Sequence, residues 1–100
     1  MTDLEITKLC AEAMGFKANI AADGASVMIS HRISQWTEYD PLHDDAQAMA
    51  LVKKFQLDII RGKDEHGTDN VLVSSRKSHA YNSNLNRAIC ECVAKMQEKK

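Results

Sequence analysis

A chain of 100 residues has room for one domain, so residues 1–100 are expected to fold as a unit. Its core is thin enough that a second copy could usefully cover leftover apolar surface, which makes a homodimer plausible. Hydrophobic residues at 44% and charged residues at 27% exclude a disordered chain, and a formal net charge of −1 excludes a strong overall field toward nucleic acid, membranes or acidic substrates. No apolar run approaches the ~20 residues that span a bilayer. The opening Met1-Thr2-Asp3 lacks the basic and apolar blocks of a signal peptide, so the expected compartment is the cytoplasm.

Thr2-Asp3-Leu4-Glu5 reads as a capping box that starts a helix. Ile6, Leu9, Cys10, Ala13 and Met14 recur at helical spacing, and Gly15 is placed to end the helix in a left-handed conformation. Phe16, Ala18 and Ile20 then alternate, as do Val27, Ile29, His31 and Ile33. With Asp23-Gly24 between them as a two-residue turn, they predict an antiparallel hairpin. Ser34 to Tyr39 reads as a connector that holds the single tryptophan.

Asp40 is expected to cap a second helix, with Pro41 in its first turn and Asp44 and Asp45 near its positive end. Leu42, Ala46, Met49, Val52 and Phe55 form its apolar stripe, widened by Ala48, Ala50 and Leu51, so this helix should be well buried. Leu57, Ile59 and Ile60 predict a short strand, Arg61 to Asn70 a long turn, and Val71 to Val73 a strand that pairs back. Arg76 to Asn84 reads as a polar loop. Asn82 or Ser83 is then expected to cap a last helix along Leu85, Ala88, Ile89, Cys92, Val93 and Met96. The fold class is α+β, in the order α-β-β-α-β-β-α. Three helices should cover one small, mostly antiparallel sheet of three to four strands.

Few residues suggest chemistry. Cys10, Cys90 and Cys92 are an odd set without a disulfide framework and read as reduced, packed thiols, with Cys90 at the edge of the core stripe. His43, Asp44 and Asp45 resemble metal ligands, but neighbours on a helix diverge by about 100°, and a solvated first turn is the simpler reading. Asp64, Glu65, His66 and Asp69 crowd a loop without the spacing of a calcium loop. Ser74, Ser75, Ser78 and His79 lack a nucleophile elbow. No catalytic residue, metal ligand or cofactor site is therefore assigned. A catalytic reading would need His79 or His31 beside an acid in a pocket.

Two binding readings remain. Trp36 and Tyr39 are candidate partner-binding aromatics, although both could equally cover the core. Arg76, Lys77 and Tyr81, extended by Arg61 and Lys63, are a candidate nucleic-acid patch, against which the near-neutral charge weighs.

Three stretches together resemble a known family. They are Leu4-Glu5-Ile6-Thr7-Lys8-Leu9-Cys10-Ala11-Glu12-Ala13-Met14-Gly15, Tyr39-Asp40-Pro41-Leu42-His43-Asp44-Asp45-Ala46 and Asn86-Arg87-Ala88-Ile89-Cys90-Glu91-Cys92-Val93. Their layout is similar to that of the phage ABA sandwich domain, small phage and prophage proteins that include NinX-like chains. In that family a helix ends in Met-Gly or Leu-Gly, a Tyr-Asp-Pro-like segment opens the middle helix, and an Ala-Ile-Cys-like helix closes the chain. The chain departs from the pattern in holding one tryptophan, Trp36, in the connector. The resemblance implies a compact α/β sandwich from a phage or prophage, and it implies no activity and no catalytic residues. The expected function is an accessory protein that binds another protein, such as a host factor, in the bacterial cytoplasm. The alternative is a nucleic-acid-binding module on the basic patch.

Overall fold

A computed structural model describes residues 2–32, 35–63, 65–67 and 69–98, apart from the side chains of residues 31, 32 and 35. The elements are α1 (Asp3–Ala13), β1 (Lys17–Ile20), β2 (Val27–Arg32), β3 (Gln35–Tyr39), α2 (Asp45–Phe55), β4 (Asp58–Lys63), β5 (Asp69–Ser74), β6 (His79–Asn82) and α3 (Leu85–Glu98). Ile33, Ser34, Asp64 and Thr68 lie outside the described residues.

The α+β class holds, but the strands are differently organised. They form two three-stranded antiparallel meanders, β1-β2-β3 and β4-β5-β6, rather than one sheet of three to four strands. Two stretches read as loops are strands. Gln35 to Tyr39 pairs with β2, and its Trp, Thr and Tyr are strand formers. His79 to Asn82 pairs with β5, and only Ala80 of the four is buried, so it carries almost no apolar signal. The polar turn predicted over Arg61 to Asn70 is also shorter, because Lys63 still pairs with Asp69.

Local chemistry sets the helix ends. Thr2 Oγ1 accepts the Glu5 amide at 3.1 Å. Gly15 has a φ of 82°, and the Phe16 and Gly15 amides donate to the Ala11 and Glu12 carbonyls in a Schellman pattern. The second helix begins later than predicted. Pro41 to His43 form a turn in which the Asp44 amide donates to the Asp40 carbonyl, and Asp44 is the cap, accepting the Gln47 amide at 3.1 Å. Gln47 in turn accepts the Asp40 amide at 2.6 Å, which holds Asp40 outside the helix. Asn84, not Asn82 or Ser83, caps α3 by accepting the Arg87 amide at 3.0 Å. The first hairpin turn also differs. Only Gly24 of the Asp23-Gly24 pair has positive φ, so the turn is not type I′, and the Ala21 amide closes the loop onto the Ser26 carbonyl.

The helices close both sheets. Helix α1 packs along α3 and against β1 and β2, while α3 packs on β5 and β6 and α2 packs on α3. Ala88, Ile89, Cys90, Cys92, Val93 and Ala94 of α3 are all buried. Cys90 is fully buried rather than at the edge, because α1, α2, β5 and β6 all pack on this helix. By contrast α2 is less buried than its stripe suggests. Only Ala48 and Leu51 are buried in it, and Met49 is 42% exposed. Arg87 ties α1 to α3 by pairing with Asp3 at 2.6 Å and Glu91 at 2.8 Å. Among the described residues no helix is long and apolar enough to cross a membrane.

Ile89→Ala should lower the unfolding free energy by about 2–5 kcal/mol, and Met49→Ala by under ~1 kcal/mol, as read by urea denaturation. Asp44→Ala should cost about 1 kcal/mol through its lost cap. A helix starting at Pro41 would put that loss on Asp40→Ala instead.

Candidate functional site

Strand alternation decides which predicted residues are available. Trp36 and Tyr39 are three apart on β3, an odd spacing, so they face opposite sides of the first sheet. Tyr39 lies opposite Val27 on the helix side, is 3% exposed and meets Phe16 edge-on at 5.7 Å. Its hydroxyl has no hydrogen-bond partner among the described residues. Burial, reinforced by Cys10 and Cys90, pushes its pKa above the ordinary tyrosine range. Trp36 lies opposite Ser30 on the outer side and is 43% exposed. The two aromatics therefore form no common site, and only Trp36 remains open to a partner.

The second sheet presents a row that the sequence did not reveal. Ile60, Leu72 and Tyr81 are in register across β4, β5 and β6. Their neighbours Val73 and Ala80 are buried on the α3 side and Ile59 packs half-buried on the core, so this row takes the opposite, outer face. Ile60 is 56% and Tyr81 62% exposed, and Leu72 between them is half-buried. The adjacent successive isoleucines were the available signal, because one of two consecutive strand residues must point away from the core.

A turn from Ser75 to Ser78 closes one end of this face. The Ser75 amide donates to the Ser78 carbonyl, and Ser75 Oγ accepts the amides of Lys77 and Ser78. Ser78 Oγ donates to the Cys92 carbonyl at 2.7 Å, which anchors the turn to α3. Arg76 and Lys77 are exposed at its tip. Lys95, which sequence reasoning missed, reaches over from α3 to donate to the His79 carbonyl at 3.2 Å. An open groove of ≈ 670 Å³ is lined by Arg76, Lys77, His79, Tyr81 and Lys95, with no carboxylate lining it among the described residues. His79 meets Tyr81 edge-on, with ring centroids 6.2 Å apart.

The predicted basic patch is thus divided. Arg76, Lys77 and Tyr81 come together. Lys63 sits at the opposite end of the sheet, roughly 17 Å away along β5, and shares the parity of Arg61 rather than that of Ile60. It stands 3.8 Å from Asp69. Arg61 is opposite Val71 and so belongs to the other face.

The remaining candidates are engaged elsewhere. His43 Nδ1 lies 2.9 Å from an Asp40 carboxylate oxygen, Asp44 caps α2, and Asp45 accepts from Asn86 Nδ2 at 2.8 Å. Glu65 and His66 stand 3.9 Å apart on their turn. Among the described residues no three His, Cys, Asp or Glu side chains gather to hold a metal. The side chain of His31 lies outside the described residues. All three cysteines are buried and free, and Cys10 donates to the Cys90 carbonyl at 3.3 Å. The hydrogen bond to Cys90, then burial and the neighbouring thiols, raise the Cys10 pKa far above the thiol range and keep it unreactive.

Comparisons of the chain with protein-family models, curated proteins and solved structures returned no match.

Tyr39→Phe should leave the protein as stable or more stable by about 1 kcal/mol, because it removes a buried hydroxyl without a partner. The raised pKa favours the neutral phenol in the fold. Its stabilisation is whole below the ordinary value of 10.0 and is lost as pH rises through the folded value, so the variant should also show a flatter alkaline decline. Urea titrations across alkaline pH check both points, and a large loss of stability would show that the hydroxyl has a partner.

Proposed function

We propose that this chain is a non-enzymatic binding protein, a phage or prophage accessory factor that docks a protein partner in the bacterial cytoplasm. The observation that carries the reading is the outward row in which exposed Ile60 and Tyr81 flank a half-buried Leu72. A single exposed apolar side chain is ordinary, but an in-register row across a whole sheet is an unused hydrophobic contact. An aromatic beside aliphatic residues on a rigid strand platform suits the anchor of an interface. The phage ABA sandwich resemblance is what suggests a phage or prophage source. A second reading, nucleic-acid binding, draws on Arg76, Lys77, Lys95 and Tyr81 around one groove. Salt-sensitive binding of DNA or RNA at low ionic strength would support it.

Immobilised wild-type protein, exposed to bacterial host lysate, should retain a partner that Ile60→Asp loses and Trp36→Ala keeps, with unchanged melting of both variants. Retention by Ile60→Asp, or no partner on an intact fold, contradicts the reading.

A further inference from the structure

The docking row does not end in neutral surface. Along β6 it runs from Tyr81 to His79 and then into the turn that carries Arg76 and Lys77, with Lys95 beside it. Three cations therefore border one end of an apolar row, and among the described residues no carboxylate lines the groove between them. One exposed acid, Asp58, shares this end of the face, two strands from His79 across Ser74 and two residues along β4 from Ile60. At the other end the outward positions Gly62 and Asn70 carry no charge, while Lys63 and Asp69 stand together on the opposite face and Glu65 lies beside His66 on the turn. Cations thus outnumber acids at the groove end of the face, although the whole chain is close to neutral.

We infer that the partner segment is an acidic peptide, with an apolar anchor seated on Ile60, Leu72 and Tyr81 and carboxylates placed against Arg76, Lys77 and Lys95. This rests on the docking face proposed above and adds the chemistry of what binds there. Two residues of strand separate Tyr81 from His79, and the turn lies beyond, so anchor and carboxylate are roughly 10 Å apart, or about three residues of extended chain. The cation-bearing turn is fixed, because Ser75 closes it and Ser78 bonds it to α3. Less ordering is then needed on binding. A nucleic-acid strand fits less well. The row neighbours of Tyr81 are aliphatic, and its ring stands at 81° to that of His79, so the face offers no run of parallel stacking surfaces.

A random peptide display library panned against the full-length protein at low salt tests this, alongside anisotropy titration with mixed-sequence single-stranded DNA. Enriched peptides should pair an aliphatic or aromatic anchor with acidic residues a few positions away. A synthesised winner should bind roughly tenfold more weakly to the Arg76→Glu/Lys77→Glu double variant, and should be lost on Ile60→Asp. Both variants change exposed residues, and thermal melts confirm their folds. Apolar winners without acidic bias, indifferent to the charge reversal but lost on Ile60→Asp, overturn the inference and leave the docking face standing. No enrichment, or binding indifferent to Ile60→Asp, overturns both. Single-stranded DNA binding that the charge reversal abolishes, without peptide binding, assigns the groove to nucleic acid and overturns the inference as well.

Discussion

Helix α3 is buried on more of its circumference than an amphipathic surface helix, and the rest of the molecule depends on that burial. An ordinary stripe covers about 100°. Here Ala88, Ile89 and Cys90 are buried in succession, as are Cys92, Val93 and Ala94. Successive residues on a helix point about 100° apart, so α3 needs cover on several sides. Helices α1 and α2 and the second sheet supply it. The small side chains of Ala88, Cys90, Cys92 and Ala94 let those neighbours approach closely, while Ile89 and Val93 supply bulk. Fully burying side chains of that size stabilises by about 1.5–3 kcal/mol each.

One face of each sheet is consumed by this arrangement. On the first sheet, Val27, Ile29 and Tyr39 turn inward and Trp36 turns out. On the second, Val71, Val73 and Ala80 turn inward and the row through Ile60, Leu72 and Tyr81 turns out. The groove borrows its rigidity from the same helix. Ser78 is bonded to the Cys92 carbonyl and Lys95 rises from the following turn of α3. Packing thus positions the surface, and the surface carries the proposed chemistry of recognition. The three thiols sit inside the packing, and that of Cys10 is held in its unreactive protonated form.

Much of this was legible in the residues. The caps at Thr2 and Gly15 and the stripe of α3 are local signals, and each describes a contact within a turn or two of itself. Strands β3 and β6 were not legible. Each is half-covered and mostly polar, and each is defined by a partner strand rather than by its own pattern. The start of α2 was misplaced because Asp40 and Asp44 are both good caps. The Gln47 side chain, which no periodicity reveals, excludes the first. The candidate site was half legible. Arg76, Lys77 and Tyr81 are near neighbours in the chain and remain so in space. Lys63 and Arg61 depend on strand length and parity, and Lys95 depends on the packing of α3.

Native-state hydrogen exchange tests the shared role of α3 most directly. The amides of Ala88 to Ala94 should exchange only through global unfolding, at the same free energy as those of Val71 and Val73 in the second sheet and Val27 and Ile29 in the first. An opening of α3 at markedly lower free energy, with either sheet still protected, would contradict the account.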